Sequence, residues 1–328
     1  MEDGMTGPMH QDAGSPTRAR LGSWPTPLEP APRLSRALGL DPDDLWIKHD
    51  DLTGLGGGGN KVRKLEWTAG TALAHGADVL VTSGAAQSNH ARLTAAAGAR
   101  LGVDVVLVLT GSPAALGNIA LDALLGATIH WVGDVSDGEL AERVQKVADS
   151  LAAQGRTPGV IPFGGSNALG ARGYEQAGME LLQQDPGVEQ SVVAVGSGGT
   201  VAGLVAALGA KRVLGVDTGA MPEPVAAVAG MVAELTGRPE DGTALRIDRT
   251  LVGPGYGSVT EEVLDAMTLA ARTEGLVLDP TYTARAMAGL LAAVRDGRIG
   301  RGRRVVFWHT GGLPGLLGHP AALERIVG

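Results

Sequence analysis

Short apolar segments alternate with longer amphipathic segments along most of this chain. Residues 79–82 form a compact, largely apolar run of the kind that makes a buried strand. From residue 60 to about residue 75, the apolar side chains instead recur every three or four positions, which indicates a helix. The pattern predicts strands at residues 45–49, 79–82, 103–109, 128–132, 159–162, 191–195, 212–216 and 304–308. It predicts helices at residues 60–75, 88–101, 116–125, 136–153, 167–184, 201–208, 222–235, 259–274 and 282–294.

This alternation predicts the fold class. Short strands that alternate with helices of about ten or more residues are typical of βαβ units, whose parallel sheets are covered on both faces. The predicted strands are too many for one sheet of ordinary width. We therefore expect an α/β fold with two domains, each a mainly parallel sheet flanked by helices, and a ligand in the cleft between them.

The N-terminal segment differs from the rest of the chain. Residues 1–20 are polar and lack the apolar stretch of a signal peptide, so we expect a disordered tail. The proline-punctuated segment 24–30 is expected to lie extended on the surface. No apolar run approaches the roughly 18 residues that cross a bilayer. These features favour a cytoplasmic protein with no membrane partner.

Composition argues against several other classes of protein. The net charge is −8 and no dense basic run offsets it, which argues against a nucleic-acid partner. The absence of cysteine excludes disulfides, thiolate nucleophiles and Cys-based metal sites. The seven histidines show no HExxH or i, i+4 spacing, so we expect no metal. The 51 glycines are about twice the usual share of roughly 7%, which indicates many tight turns and close backbone approaches.

The first candidate site is a run of glycines, residues 56–59, that ends in Asn60 and Lys61 at the start of a predicted helix. Glycines let backbone N–H groups approach an anion closely. A lysine beside such a loop can hold a phosphate or, when desolvated, act as a nucleophilic amine. The alternative is a flexible surface loop followed by a basic helix start.

Two further loops join a predicted strand to a predicted helix. Residues 196–200 would place backbone N–H groups and two hydroxyls at a helix N-terminus, where phosphates bind, although a plain tight turn is the alternative. In the other loop, Ser88 and Asn89 would either cap the next helix or bind a carboxylate, with His90 beside them. A reactive lysine and a separate phosphate cradle are the features that pyridoxal 5′-phosphate requires, so we expect this cofactor.

Several motifs resemble, in order, those of the pyridoxal-phosphate family that contains D-cysteine desulfhydrase and 1-aminocyclopropane-1-carboxylate deaminase. They are GGNKVRKLE at 58–66, QSNH at 87–90, GGSNALG at 164–170 and DPTYT at 279–283. The resemblance runs from about residue 24 to about residue 315. It implies the tryptophan-synthase-β-like fold, called fold type II. In that fold a small domain, residues 64–175, is inserted into a large cofactor-binding domain, residues 21–63 and 176–328.

The resemblance also implies which residues bind the cofactor. Lys61 would bind it covalently and would be the base that removes the substrate's Cα proton. Lys64 would hold the phosphate together with the loop residues Gly196, Ser197, Gly198, Gly199 and Thr200. Asn89 would bond the ring oxygen of the cofactor.

The substrate side of the site follows from the same resemblance. Ser88, with the neighbouring Asn89 and His90, would bind the substrate carboxylate. Tyr256 and Tyr282 match the two active-site tyrosines of the family. Either hydroxyl would donate a proton to the leaving group or position the substrate, and these two roles stay open.

Thr283 distinguishes between reactions within the family. The ring-opening deaminase has a carboxylate at this position, facing the pyridine nitrogen of the cofactor, where it strengthens the ring as an electron sink. Thr283 is neutral, as in the desulfhydrase branch, and His90 also matches that branch. The resemblance therefore implies β-elimination, with D-cysteine giving pyruvate, sulfide and ammonia.

Several alternatives stay open. L-Cysteate sulfo-lyase and 1-aminocyclopropane-1-carboxylate deaminase are the alternatives within the family. A non-catalytic ligand-binding α/β protein is the alternative from another class. Because members of the family are homodimers as a rule, we also expect a homodimer.

Overall fold

The structure is a computed structural model that describes residues 16–240 and 242–328. Most of the predicted tail, residues 1–15, lies outside the described residues. The rest of it is fixed in place, because the Ala19 amide donates to the Glu66 carbonyl at 2.7 Å and Arg18 pairs with the Glu66 carboxylate. Arg18 and Ala19 of the predicted tail thus contact Glu66, and the boundary at residue 20 stays a prediction.

The described residues form an alternating series of strands and helices. The strands are β1 (Leu28–Pro30), β2 (Leu45–His49), β3 (Val79–Ala85), β4 (Asp104–Thr110), β5 (Thr128–Gly133), β6 (Pro158–Val160), β7 (Gln190–Val195), β8 (Val213–Asp217), β9 (Arg246–Asp248) and β10 (Val305–His309). The helices are α1 (Pro32–Ala37), α2 (Lys61–Ala74), α3 (Asn89–Leu101), α4 (Gly117–Leu124), α5 (Asp137–Ala153), α6 (Ala168–Gln184), α7 (Gly199–Leu208), α8 (Pro224–Thr236), α9 (Glu261–Glu274), α10 (Thr283–Arg295), α11 (Leu313–Leu317) and α12 (Pro320–Val327).

The strands form two sheets. One has the order β1-β2-β10-β7-β8-β9, and all its pairs are parallel except β1 with β2. The other has the order β5-β4-β3-β6 and is entirely parallel. The predicted α/β class, with two mainly parallel sheets flanked by helices, is confirmed.

Each sheet carries a hydrophobic core on both faces, because successive strand residues point to opposite sides. In β10, Val305 and Phe307 belong to one core, whereas Val306 and Trp308 belong to the other. The four-stranded sheet repeats this arrangement with two smaller cores. Burial on both faces explains why the strands read as unbroken apolar runs.

The proline-rich segment before β2 is more ordered than expected. Leu28–Pro30 pairs antiparallel with β2 as an edge strand, a position where proline is tolerated. Thr26 is 1% exposed and its hydroxyl donates to Asp50 at 2.9 Å, so the expected surface position is wrong for this residue.

The four-stranded sheet is built from one continuous part of the chain, between β3 and β6, and this part falls within the predicted small domain. The six-stranded sheet takes its strands from both sides of that part. The boundaries at residues 64 and 175 stay predictions, and the first would fall inside α2. The glycine-rich loops follow β2, β3 and β7, at the carboxyl ends of parallel strands, where α/β proteins bind ligands.

Candidate active site

The loop between β2 and α2 carries Lys61 on a tightly turned backbone. Residues 56–59 all have positive φ, a conformation that glycine adopts without strain. At Gly58 there is also no room for a side chain, since a Cβ would lie 1.8 Å from the Asp51 carbonyl oxygen. The Asn60 amide donates to the Thr310 carbonyl at 3.0 Å. These bonds hold the loop against its neighbours, which argues against the flexible-loop alternative.

Lys61 is the first residue of α2 and lines a cavity that the three glycine-rich loops border. Its Nζ donates to the Asn60 side-chain oxygen at 3.2 Å. Burial lowers the pKa of Lys61 to about 8; nearby Asp279 opposes this shift and the charge of Arg92 adds to it. At pH 7 about a tenth of this amine is therefore uncharged and nucleophilic, far more than for an ordinary lysine.

Lys64 lies one helical turn further along α2 and is 1% exposed. Its Nζ donates to Ser166 Oγ at 2.8 Å and to the Gly164 carbonyl at 3.4 Å. Burial, with a contribution from the neighbouring Lys61, lowers the pKa of Lys64 well below its usual value. An anionic ligand beside this amine would raise its pKa and restore its positive charge, so the surroundings of Lys64 favour binding of an anion.

The loop between β7 and α7 lies against Lys64. Ser166 Oγ bonds both Ser197 Oγ at 2.7 Å and the Gly199 amide at 3.2 Å. The Thr200 hydroxyl accepts from the Asn60 side chain at 3.0 Å. The amides at the start of this ten-residue helix lie beside a buried amine, an arrangement that could bind an anion.

This donor set fits pyridoxal 5′-phosphate. Among the described residues, the hydrogen bonds of both amines go to neutral oxygens rather than to carboxylates. Lys64 and the amides of the β7–α7 loop suit a phosphate, and Lys61 suits an aldehyde.

The loop between β3 and α3 forms another wall of the cavity. Ser88 caps α3, since its Oγ accepts from the Ala91 amide at 3.1 Å, and it also lines the cavity. Asn89 Oδ1 accepts from Asn118 at 3.0 Å. The His90 Nε2 bonds Thr82 Oγ1 at 2.9 Å, and burial lowers the pKa of this histidine well below its usual value, so it is neutral. The predicted roles in substrate binding stay predictions.

The two predicted tyrosines meet across the cavity edge. The hydroxyls of Tyr256 and Tyr282 are 2.6 Å apart, and their rings cross at 66°. Tyr282 lines the cavity, and Tyr256 reaches its edge through this bond. Burial, with the neighbouring Tyr256, raises the pKa of Tyr282 well above its usual value, so its hydroxyl remains a proton donor at neutral pH.

Thr283 lies beside the cavity rather than in its lining. It is fully buried, and its hydroxyl donates to Asp279 Oδ1 at 2.8 Å. Asp279 does line the cavity. Its carboxylate accepts from the amides of Thr281, Tyr282 and Thr283 at 3.1, 2.9 and 2.9 Å, so it fixes the start of α10.

The structure brings most of the predicted residues together. Those that line one cavity are Lys61, Lys64, Ser88, Asn89, His90, Gly196, Ser197, Gly198, Thr200 and Tyr282. Gly199, Tyr256 and Thr283 lie just behind it. Lining residues that sequence reasoning assigned no role include Asn60, Phe163, Ala220 and Asp279. Asp279 belongs to the DPTYT motif at 279–283, whereas nothing in the local sequence marks Phe163 or Ala220 as site residues.

Two other kinds of site are missing from residues 16–240 and 242–328. No group of three or more His, Cys, Asp or Glu side chains there could hold a metal ion. In the same part of the chain, no helix has the length and apolar character needed to cross a membrane.

Comparison with known proteins gives a consistent relationship. Residues 19–311 match the family model described as pyridoxal-phosphate dependent enzyme. D-cysteine desulfhydrase of Klebsiella pneumoniae is 41% identical over 323 residues, covering 92% of this chain and 96% of the relative. A Pyrococcus furiosus protein, named provisionally as a 1-aminocyclopropane-1-carboxylate deaminase, is 38% identical over 309 residues and covers 91% and 92%.

The solved structures agree. A crystal structure described as an ACC deaminase homologue superposes with a TM-score of 0.86 at 36% identity, covering 94% of this chain and 96% of that one. A crystal structure of a bacterial threonine deaminase is more distant, with a TM-score of 0.60 at 25% identity and coverage of 88% and 92%. The chain therefore belongs to the pyridoxal-phosphate-dependent enzymes, in the family of D-cysteine desulfhydrase and 1-aminocyclopropane-1-carboxylate deaminase.

Proposed function

We propose that this enzyme catalyses β-elimination on a small β-substituted amino acid, with D-cysteine as the leading substrate. The observation that carries the choice of reaction is the neutral Thr283, buried beside the cavity where the deaminase branch has a carboxylate. A neutral residue there leaves the cofactor a weaker electron sink. Elimination of a good leaving group stores less charge in the ring than opening a cyclopropane does.

Asp279 does not replace the missing carboxylate. It lines the cavity, but its oxygens accept three amide hydrogen bonds and one from the Thr283 hydroxyl. Burial raises the pKa of Asp279 against the effect of these bonds. We therefore assign it to holding the start of α10, the segment that carries Tyr282 and Thr283.

Binding would use the donors on three loops. Lys64 and the β7–α7 loop would hold the phosphate, and Lys61 would bond the aldehyde. Bound in this way, pyridoxal 5′-phosphate supplies an electron sink for a carbanion at Cα. The amides at the start of α3, with Ser88 and Asn89, would hold the substrate carboxylate at a helix N-terminus.

Lys61 would then move the proton. Its amine would remove the Cα proton of the bound amino acid, and the Cβ–S bond would break with the electron pair leaving on sulfur. The resulting aminoacrylate hydrolyses to pyruvate and ammonia. Tyr282, hydrogen-bonded to Tyr256, would either protonate the leaving sulfur or position the substrate.

A substrate panel tests this proposal. The holoenzyme is incubated with D-cysteine, L-cysteine, L-cysteate, D-serine and 1-aminocyclopropane-1-carboxylate, and pyruvate and 2-oxobutyrate are measured separately. We expect pyruvate and sulfide from D-cysteine at the highest kcat/KM. The proposal is wrong if 2-oxobutyrate from the cyclopropane substrate dominates. No product from any amino acid in a cofactor-loaded protein would favour a non-catalytic role.

Two accompanying proposals concern the form in which the enzyme works. We propose a homodimer and a cytoplasmic location. Sedimentation of the holoenzyme tests the first, with a mass of twice the 33.3 kDa chain expected. Fractionation of the source cells tests the second.

A further inference from the structure

Arg92 is a buried arginine on α3 that contacts the loop carrying Lys61. Its exposure is 0%. Nη1 donates to the Gly56 carbonyl, and Nη2 donates to the Gly58 carbonyl at 3.1 Å. A Cβ on Gly57 would lie 3.3 Å from Nη1, so the guanidinium lies along the loop. Glycines supply no side chains to restrain this turn, and charge-assisted bonds to two carbonyls do so from outside.

Helix α3 also borders the cavity, through Ser88 and Asn89 at its start. α3 begins at Asn89, directly after its cap Ser88, and Arg92 lies one turn further on. One rigid element therefore contacts both the predicted carboxylate site and the lysine loop. A shift of α3 would move the two together.

Arg92 is poorly neutralised where it lies. The carboxyl that interacts with it is Asp122 on α4, which is also fully buried. Among the described residues, Arg92 Nε and both Asp122 oxygens have no hydrogen-bond partner. Burial raises the pKa of Asp122 to about 7, against the attraction of Arg92, so this carboxyl is partly protonated at neutral pH. The positive charge of the guanidinium therefore also acts on nearby Lys61, whose pKa it lowers.

We propose that Arg92 is a positioning residue for Lys61: its guanidinium fixes the glycine loop so that the lysine amine stays in the cavity. The inference rests on the proposed role of Lys61 as the lysine that binds the cofactor. Neither hydrogen bond of the guanidinium involves the cavity itself. Arg92 acts through the backbone at Gly56 and Gly58.

The positive charge of Arg92 also contributes to its positioning role, because it affects the protonation of Lys61. The charged groups that act on Lys61 are Asp279, which favours the protonated amine, and Arg92, which disfavours it. Lys64 is a further amine one helical turn away. A residue that merely filled space would hold the loop without affecting the protonation of Lys61.

The test uses the apoprotein, so it is independent of turnover. Arg92→Lys keeps the charge but loses the two-point contact, and Arg92→Met loses both. Arg100→Met is the matched control, since Arg100 is exposed at the end of the same helix. Hydrogen exchange is measured over residues 50–60, where the amides of Gly58, Gly59 and Asn60 are bonded. Lysine-selective carbon labelling with NMR gives the Lys61 pKa, because the chain has only five lysines.

We expect loop exchange at least tenfold faster in both Arg92 variants than in the control. The Lys61 pKa should rise above about 8 in Arg92→Met and stay near it in Arg92→Lys. Loop exchange equal to that of the control, in a folded Arg92 variant, overturns the proposal. If Arg92→Met does not fold, Arg92→Lys decides the outcome alone. If the Arg92 variants give the expected exchange and pKa changes but the lyase assay detects no product, only the proposed reaction is overturned.

Discussion

Lys64 Nζ lies 2.8 Å from Ser166 Oγ, although the two residues belong to different glycine-rich segments about a hundred positions apart. Ser166 also bonds Ser197 and the amide of Gly199, so one hydroxyl joins α2 to the β7–α7 loop. This contact brings a buried amine and a helix N-terminus together, the two parts of the proposed phosphate site.

Replacement of Lys64 should therefore weaken cofactor binding. Lys64→Met removes a buried amine that stability does not need, so Tm should be unchanged or higher. The Kd for pyridoxal 5′-phosphate, measured by equilibrium dialysis, should rise at least tenfold, about 1.4 kcal/mol. The control is Lys211→Met, on an exposed lysine far from the cavity. Equal affinity in both variants would remove Lys64 from the phosphate site.

The pKa of Lys61 predicts how cofactor uptake depends on pH. The neutral amine is the nucleophile, and burial lowers its pKa to about 8. Covalent uptake of pyridoxal 5′-phosphate by the apoprotein should accelerate as pH rises and level off above about 8. Below that pH, the neutral fraction falls about tenfold per unit. Stopped-flow absorbance measures the rate, and a profile still rising at pH 10 would show that burial does not activate this amine.

Removing the hydroxyl of Tyr282 should lower activity, whereas removing that of Tyr174 should lower stability. Tyr282→Phe removes the hydroxyl that faces the cavity, and kcat should fall by about a hundredfold or more, as expected for loss of a general acid. The chain has just three tyrosines, and the third is a natural control. Tyr174→Phe removes a buried bond to Asp50, which should cost about 1–3 kcal/mol of unfolding free energy with little change in kcat. Comparable kcat losses in both would point to a structural role for Tyr282.

Two glycines of positive φ compare the lysine loop with an ordinary helix end: Gly102 has ψ of 32° in the left-handed region, whereas Gly58 has ψ of 172°, where glycine alone is commonly found. Gly58 and Gly102 both have φ of 74°, but only at Gly58 would a Cβ meet backbone, at 1.8 Å from the Asp51 oxygen. Gly102→Ala should cost about 1–2 kcal/mol, the strain of the left-handed region alone. Gly58→Ala should cost at least about 3 kcal/mol or displace the loop, with loss of cofactor binding. Thermal unfolding and cofactor titration measure both, and equal effects would mean that the loop is not tightly held.

Local signals in the sequence predicted much of this fold. The apolar runs located the buried strands, and Ser88, Ser136 and Asn167 each cap the helix that was expected to begin beside them. The elements β1, α1, β9, α11 and α12 were missed. Prolines interrupt the pattern in β1 and α1. In β1, pairing with β2 supplies the order that the local sequence lacks.

Site residues could be predicted from the sequence only where they belong to a recognisable motif. Lys61 and Ser88 stand in recognisable loops, whereas Arg92 reads as an ordinary helix residue, and its role depends on a loop more than thirty positions earlier. Thr283 was expected to face the cofactor, but its hydroxyl is bonded to Asp279, so that role stays a prediction. Such contacts arise from tertiary packing, which no local pattern encodes.

We propose that Lys61, rather than the more deeply buried Lys64, bonds the cofactor. Borohydride reduction of the holoenzyme makes the lysine–cofactor bond permanent, and tryptic peptides then locate it by mass. Because trypsin does not cut at a modified lysine, we predict that the cofactor mass appears on peptide 49–63, which contains Lys61 alone among the lysines. Cofactor mass on peptide 64–92, which contains Lys64, would contradict the account.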